Sequence, residues 1–258
     1  MMETGLSGLT ALVTGGASGI GEAIVTALEL DGVSVAVVDR AESSVGTFRL
    51  RAELGDATTS DRVVEQAIRE LGHLDLLVNC AAITRHEPTT HLTPEAWEAT
   101  LGSNVAACVW TCRAVARHMI PRGGGSVLIV GSTSVYTPAP QESVYRASKA
   151  ALKAFAEVLA VELAPHGVRV NVLTPGAVAT ALTAGMSEEH RTRLIGEIPL
   201  GREAVPEELV ATALLLLSDR LSPYTTGAEF VVDGGIRLRP LSFLSPDALR
   251  QLNDGGPR

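Results

Sequence analysis

The chain has 258 residues, 46% of them hydrophobic and 19% charged, and a formal net charge of −8. That make-up excludes disordered and fibrous proteins and fits one large domain or two small ones. Its Lys and Arg are scattered through an acidic chain, which argues against nucleic acid as a partner.

In chain order, LTALVTGG is a short apolar run closing on glycine, followed by a helical stretch from about Gly19 to Leu30. VSVAVVDR is a second apolar run and ends on an acid, Asp39. SDRVVEQAIREL follows a Ser/Asp cap as a helix, then DLLVNCAA reads as a strand and TPEAWEATLGSNVAACVWTCRAVARHM as one long helical segment. SVLIVGS, the helical VYRASKAALKAFAEVLAVELAP, and VRVNVLTP repeat the alternation. PEELVATALLLLS, with Pro206 before Glu207 and Glu208, is a further helix, and AEFVVDGG is a last strand. The strand runs are rich in Val, Leu and Ile without polar alternation, as strands covered on both faces should be. These features predict an α/β protein. Its core would be a Rossmann-type doubly wound parallel sheet of about seven strands, with helices on both faces and right-handed crossovers.

No linker divides the chain, so residues 1–258 are expected to form a single domain. A polar stretch at about 180–205 reads as a lid, and 236–258 as a tail. The amino terminus lacks the basic start of a signal peptide, and no run reaches the ~18 apolar residues of a membrane span; LVATALLLLS is short and broken by Thr212. Three cysteines, Cys80, Cys108 and Cys112, cannot pair completely, which suggests a reducing compartment. The expectation is a cytoplasmic protein without membrane contact.

Gly15, Gly19 and Gly21 stand in TGGASGIG, directly after the first strand and opening the first helix. Glycines there let the backbone turn tightly beside a pyrophosphate, and the free N–H groups and dipole of the helix start attract its charge. Asp39, at the end of the second strand, stands near the offset of about 20 residues expected of an acid that binds an adenosine ribose. A carboxylate there favours NAD and repels the 2′-phosphate of NADP, while the neighbouring Arg40 could bind that phosphate. Both cofactors stay open, with NAD ahead.

Tyr145 and Lys149 lie at i and i+4 of a helix, on one face. An ammonium beside a phenol stabilises the phenolate, which a hydroxyl acid/base needs. Such a pair is common on helix surfaces, so its weight comes from what surrounds it. Ser132 ends the strand SVLIVGS at the carboxyl edge, where open α/β sheets bind ligands, with Thr133 and Ser134 as neighbouring competitors. Asn104 is a poor helix former in an apolar helical stretch, and reads equally as a packing amide. The six histidines show no paired metal-ligand spacing, and Pro88 separates His86 from His91, so no metal is expected.

With these residues assembled, the chain from about Leu9 to Gly235 resembles the short-chain dehydrogenase/reductase family. The resemblance rests on TGGASGIG, the NCAA run, Asn104, Ser132, Tyr145-x-x-x-Lys149, NVLTPGAVAT and the closing VVDGG. It implies that Tyr145 exchanges a proton with the substrate oxygen, that Ser132 hydrogen-bonds that oxygen, and that Lys149 holds the nicotinamide ribose. Asn104 would hold a water linking Lys149 to solvent. Gly15, Ser18, Gly19, Ile20 and Gly21 would cradle the dinucleotide, Asn79 and Ala81 would line its ribose side, and Asp56 with Ala57 would border the adenine. Pro175, Gly176, Val178 and Thr180 would lie beside the nicotinamide. Val135, Tyr136, Gln141 and Arg85 are expected on the substrate wall.

Three features depart from the family pattern: Ala82 replaces a glycine, AESSVGTFRLRAELG is too short for the usual amphipathic helix, and the tail is long. The implied activity is NAD-dependent interconversion of a secondary alcohol and a ketone on a sugar, polyol or ring diol. An NADPH-dependent 3-oxoacyl-type reductase and a non-catalytic nucleotide-binding regulator are the alternatives. A homotetramer is expected, through the helices carrying Asn104 and Tyr145.

Overall fold

The computed structural model describes residues 3–238. Among them, seven strands, β1 (Thr10–Thr14), β2 (Ser34–Asp39), β3 (Phe48–Arg51), β4 (Leu76–Asn79), β5 (Gly125–Val130), β6 (Val168–Pro175) and β7 (Glu229–Val232), form one sheet in the order β3-β2-β1-β4-β5-β6-β7. Every neighbouring pair is parallel. The helices are α1 (Gly19–Leu30), α2 (Ala57–Leu71), α3 (Pro94–Leu101), α4 (Ala107–Met119), α5 (Ser143–Leu163), α6 (Glu188–Gly196) and α7 (Val210–Leu217).

Successive strand residues point to opposite faces, which explains why apolar runs without alternation build this sheet. Leu12, Ala36, Val38, Leu77, Val127 and Ile129 pack with the buried sides of α2, α4 and α5. Ala11, Val13, Val35, Val37, Val78 and Leu128 pack with those of α1 and α7. The result is one sheet between two helical layers, in a single Rossmann-like domain.

Three element boundaries differ from the sequence reading. FRLR, not singled out as a strand, is β3, an edge strand with Phe48 and Leu50 half-buried and Arg49 and Arg51 exposed. It is joined to β2 without a helix. Instead Glu29 at the end of α1 accepts from Gly46 N (3.2 Å) and Thr47 Oγ1 (3.2 Å), pinning the connection. The helix expected after a Ser/Asp cap starts earlier, because Asp56 accepts from Thr59 N at 2.9 Å and is itself the cap. The long helical segment after Thr93 is broken by a π turn over Gly102–Ala106, with Asn104 inside it. Of the tail, Ile236–Leu238 form a single 3₁₀ turn, and the rest lies outside the described residues.

Candidate active site

The strand order reverses between β1 and β4, and ligands of such sheets bind in the crevice at that switch, outside the carboxyl ends of the strands. A cleft of about 350 Å³ opens there, bounded by Gly15, Gly19, Asp39, Ala81, Tyr145 and Lys149. A larger hollow of about 680 Å³ lies between α1 and the lid, but it meets the cleft only at Gly19, Thr180 and Ala181 and contains neither Tyr145 nor Lys149. The expected catalytic pair, Tyr145 and Lys149, therefore borders the smaller one.

The glycine loop has little room for side chains. Gly15 has φ +70°, and a Cβ on it would come within 2.6 Å of the Ala81 backbone; a Cβ on Gly21 would stand 2.0 Å from Gly15 O. The Ser18 side chain makes no capping bond, so it leaves the free N–H groups of the first turn of α1 to a ligand. Asp39 closes the far end, its carboxylate accepting from Ala17 N (3.1 Å) and Ala41 N (2.9 Å). Arg40 also borders the cleft. An uncapped helix start, a close-packed glycine turn and a terminal carboxylate together fit a pyrophosphate and a ribose.

At the other end, Tyr145 hydrogen-bonds Ser132, whose hydroxyl also accepts from Ser134 N at 3.2 Å. Lys149 is buried and donates to Val130 O at 2.9 Å, with its Nζ 5.8 Å from the Tyr145 ring centre. The expectation that Lys149 draws the phenol downward is not met. Burial pushes Tyr145 up to about 12, the Ser132 hydrogen bond opposes that rise, and the carboxylate of Glu142 adds to it. Burial also disfavours the ammonium form of Lys149.

The Asn104 amide is held by its neighbours on both sides. Oδ1 accepts from Ile83 N (2.8 Å), and Nδ2 donates to Ile83 O (2.9 Å) and Ser148 Oγ (3.0 Å). It ties the π turn to the loop after β4 and to α5.

Several expected contacts fall elsewhere. Asn79 faces the core, donating to Cys112 Sγ at 3.2 Å and accepting from Thr14 Oγ1 at 3.4 Å. Asp56 and Ala57 begin α2, and the cleft wall beyond Asp39 is made by Ala52, Glu53 and Leu54 instead. Val178 is buried in the core beside a backbone bridge to Ala204. Ser18, Ile20, Pro175 and Thr180 line the cleft, as do Ala181 and Leu182 of the expected lid, while Gly176 packs its Cα side against Asp233. The lid itself contains α6 and is fastened by Arg191, whose guanidinium pairs with Glu203 (2.5 Å) and donates to Thr183 O (3.2 Å).

Of the expected substrate wall, Arg85 is exposed, and Gln141 is exposed with φ +69°. Val135 gives its carbonyl to Arg146 Nη2 at 2.8 Å. Tyr136 turns outward: its hydroxyl donates to Glu229 and accepts from Lys153 Nζ at 2.6 Å, and Glu229 also accepts from Thr174 Oγ1 at 2.6 Å. This anchor was illegible in the sequence because its partners are far apart along the chain. It holds the end of the 3₁₀ turn Thr133–Val135, which Ser132 begins.

Comparison with known proteins agrees with this geometry. A family model described as enoyl-(acyl carrier protein) reductase matches residues 15–237. L-xylulose reductase of Bos taurus is 37% identical over 91% of this chain and 98% of its own. D-threitol dehydrogenase of Mycolicibacterium smegmatis is 34% identical over 91% and 95%. The crystal structure of 3-ketoacyl-(acyl-carrier-protein) reductase from Brucella melitensis complexed with NADH superposes with a TM-score of 0.83, at 29% identity over 90% and 99%. The chain belongs to the short-chain dehydrogenase/reductase family, whose members use nicotinamide dinucleotides, and it is an oxidoreductase of alcohol and ketone groups. Among the described residues, no helix is long and apolar enough to cross a membrane.

Proposed function

We propose that the protein is an NAD-dependent dehydrogenase that interconverts a secondary alcohol and a ketone on a small polyhydroxylated molecule. The observation that carries this reading is the placing of Tyr145, with Ser132 bonded to it, and Lys149 at one end of a cleft whose other end is the Asp39 carboxylate. The bound dinucleotide would supply the hydride acceptor or donor.

The rest is the work of the chain. Asp39 has both carboxylate oxygens held by backbone N–H groups and keeps lone pairs for ribose hydroxyls. Ser132 holds the substrate oxygen, and Tyr145 removes its proton in oxidation or returns one in reduction. Lys149, fixed by Val130 O, orients a ribose and can pass a proton on from Tyr145. Burial of both groups keeps competing water away.

An NADPH-dependent 3-oxoacyl-type reductase is the second reading, favoured by Arg40 at the cleft edge and by the ketoacyl reductase among its structural neighbours. A non-catalytic regulator would not require the catalytic set. A homotetramer is supported by the exposed face of α5, where Ala147, Ala150, Ala154, Val158 and Val161 form a small apolar stripe.

The test is titration with NADH and NADPH followed by nicotinamide fluorescence, then turnover of a polyol panel. Preference for NADH with polyol oxidation is expected. Preference for NADPH with reduction of a 3-oxoacyl thioester would overturn it.

A further inference from the structure

The anchor at Tyr136 reaches further than one turn. Glu229 opens β7, and its side chain, only 17% exposed, takes bonds from three other elements. Oε1 accepts from Thr174 Oγ1 at 2.6 Å, and Oε2 accepts from the Tyr136 hydroxyl and pairs with Lys153 Nζ at 2.8 Å. Lys153 closes the ring by donating to the Tyr136 oxygen at 2.6 Å, its ammonium 5.0 Å from the centre of the phenol. Burial pulls the Glu229 carboxyl upward, but the bonds from Lys153, Thr174 and Tyr136 outweigh it and hold the group below its usual range. The bridge is therefore an ionised carboxylate.

Each partner leads to a different part of the site. Tyr136 follows the 3₁₀ turn that Ser132 begins, and Thr174 precedes Pro175, which lines the cleft. Lys153 stands one helical turn beyond Lys149 and two beyond Tyr145 on α5. Thr174 Oγ1 also lies against the residue before Ser132, because a Cβ on Gly131 would come within 2.8 Å of it. One carboxylate thus holds the chain on both sides of Ser132: Gly131 rests on the threonine bonded to Oε1, and the turn ends at the tyrosine bonded to Oε2. Glu229, Thr174, Tyr136 and Lys153 do not themselves line the cleft, and the charges of Glu229 and Lys153 balance. Their reach into the site is geometric, through the Ser132 turn and α5, the two elements that the hydrogen bond between Ser132 and Tyr145 joins.

We propose that Glu229 is a positioning residue for the reaction: its carboxylate fixes the Ser132 turn against α5 and so sets the contact between Ser132 and Tyr145. This rests on the dehydrogenase reading above and adds a residue outside the cleft that governs the chemical step.

The test follows oxidation of erythritol, or of butan-2-ol should erythritol not turn over, in the wild-type protein and in Glu229→Gln. The amide keeps the outline of the side chain but accepts at one atom instead of two. Its kcat is expected to fall about tenfold, with KM and the NADH dissociation constant within about twofold of the wild type. Ser132 opposes the rise of Tyr145, so loosening it should move the ascending limb of the oxidation profile toward higher pH, by less than about one unit. The freed charge of Lys153 alone would pull that limb the other way. An unchanged kcat, a loss confined to KM, or a limb that stays in place or moves to lower pH overturns the positioning role and leaves the dehydrogenase intact. Failure to oxidise either alcohol with either nucleotide overturns both readings. Should E229Q not fold, Thr174→Val, a neutral change, is expected to give a smaller fall in kcat that Thr174→Ser restores. No fall with valine, or no recovery with serine, counts against the proposal.

Discussion

The two ends of the cleft are built on different principles. The nucleotide end is mostly backbone: a glycine turn packed against Ala81, an uncapped helix start, and one carboxylate held by Ala17 N and Ala41 N. The substrate end is made of side chains drawn from distant segments, with Asn104 bonded to Ile83 and Ser148, Arg146 to Val135, and Tyr136 to Lys153 and Glu229. A backbone site recognises a constant ligand and tolerates little change in outline. A side-chain site can be retuned one residue at a time.

The largest expected effect sharpens that contrast. Tyr145→Phe removes the acid/base and leaves the nucleotide end untouched, so turnover should fall by about 10²–10⁴-fold while NADH binding is retained. Rates and fluorescence titration check the two halves separately. If NADH binding were lost as well, the two ends would not be independent. From the other end, Asp39→Asn removes the charge and keeps the shape. It should narrow the preference for NADH over NADPH by about 10–100-fold, the value of charge-assisted hydrogen bonds to a ribose. Dissociation constants for both nucleotides measure it, and an unchanged ratio would hand selection to Arg40.

A smaller effect belongs to the anchor behind Ser132. Tyr136→Phe deletes the hydroxyl that joins the turn to Lys153 and Glu229 but leaves those two paired at 2.8 Å. Stability should drop by about 1 kcal/mol, and kcat should fall a few-fold with nucleotide affinity unchanged. Denaturant melts and steady-state kinetics report both, and an effect on stability alone would make the anchor purely structural.

The same contrast explains what the sequence could reveal. The glycine loop, Asp39, and the Tyr145 and Lys149 pair are local patterns, because a turn, a strand end and one helix face are set by neighbours in the chain. The apolar strand runs likewise announce a sheet covered on both faces. What escaped notice depends on partners far away. Asn79 turned out to face Cys112, Tyr136 to face Glu229, and Asn104, inside the π turn, to bond the loop at Ile83. The short edge strand Phe48–Arg51 escaped because half of its four residues are arginines on the exposed side.

The smallest expected effect tests the electrical character of the substrate end. Tyr145 is raised by burial, helped by Glu142 and Cys80 and opposed by Ser132, with Lys149 the buried cation on its ring. Oxidation requires the ionised phenol, which is the minor form at neutral pH, so its rate should climb as pH rises above 7. Reduction uses the protonated form and should stay flat over the same range. Removing a negative neighbour stabilises the phenolate, so Glu142→Gln should move the oxidation profile toward lower pH, by less than about one unit. A profile that stays in place would mean that the carboxylate does not face the phenol, and that the acidity of this end lies outside the reacting centre.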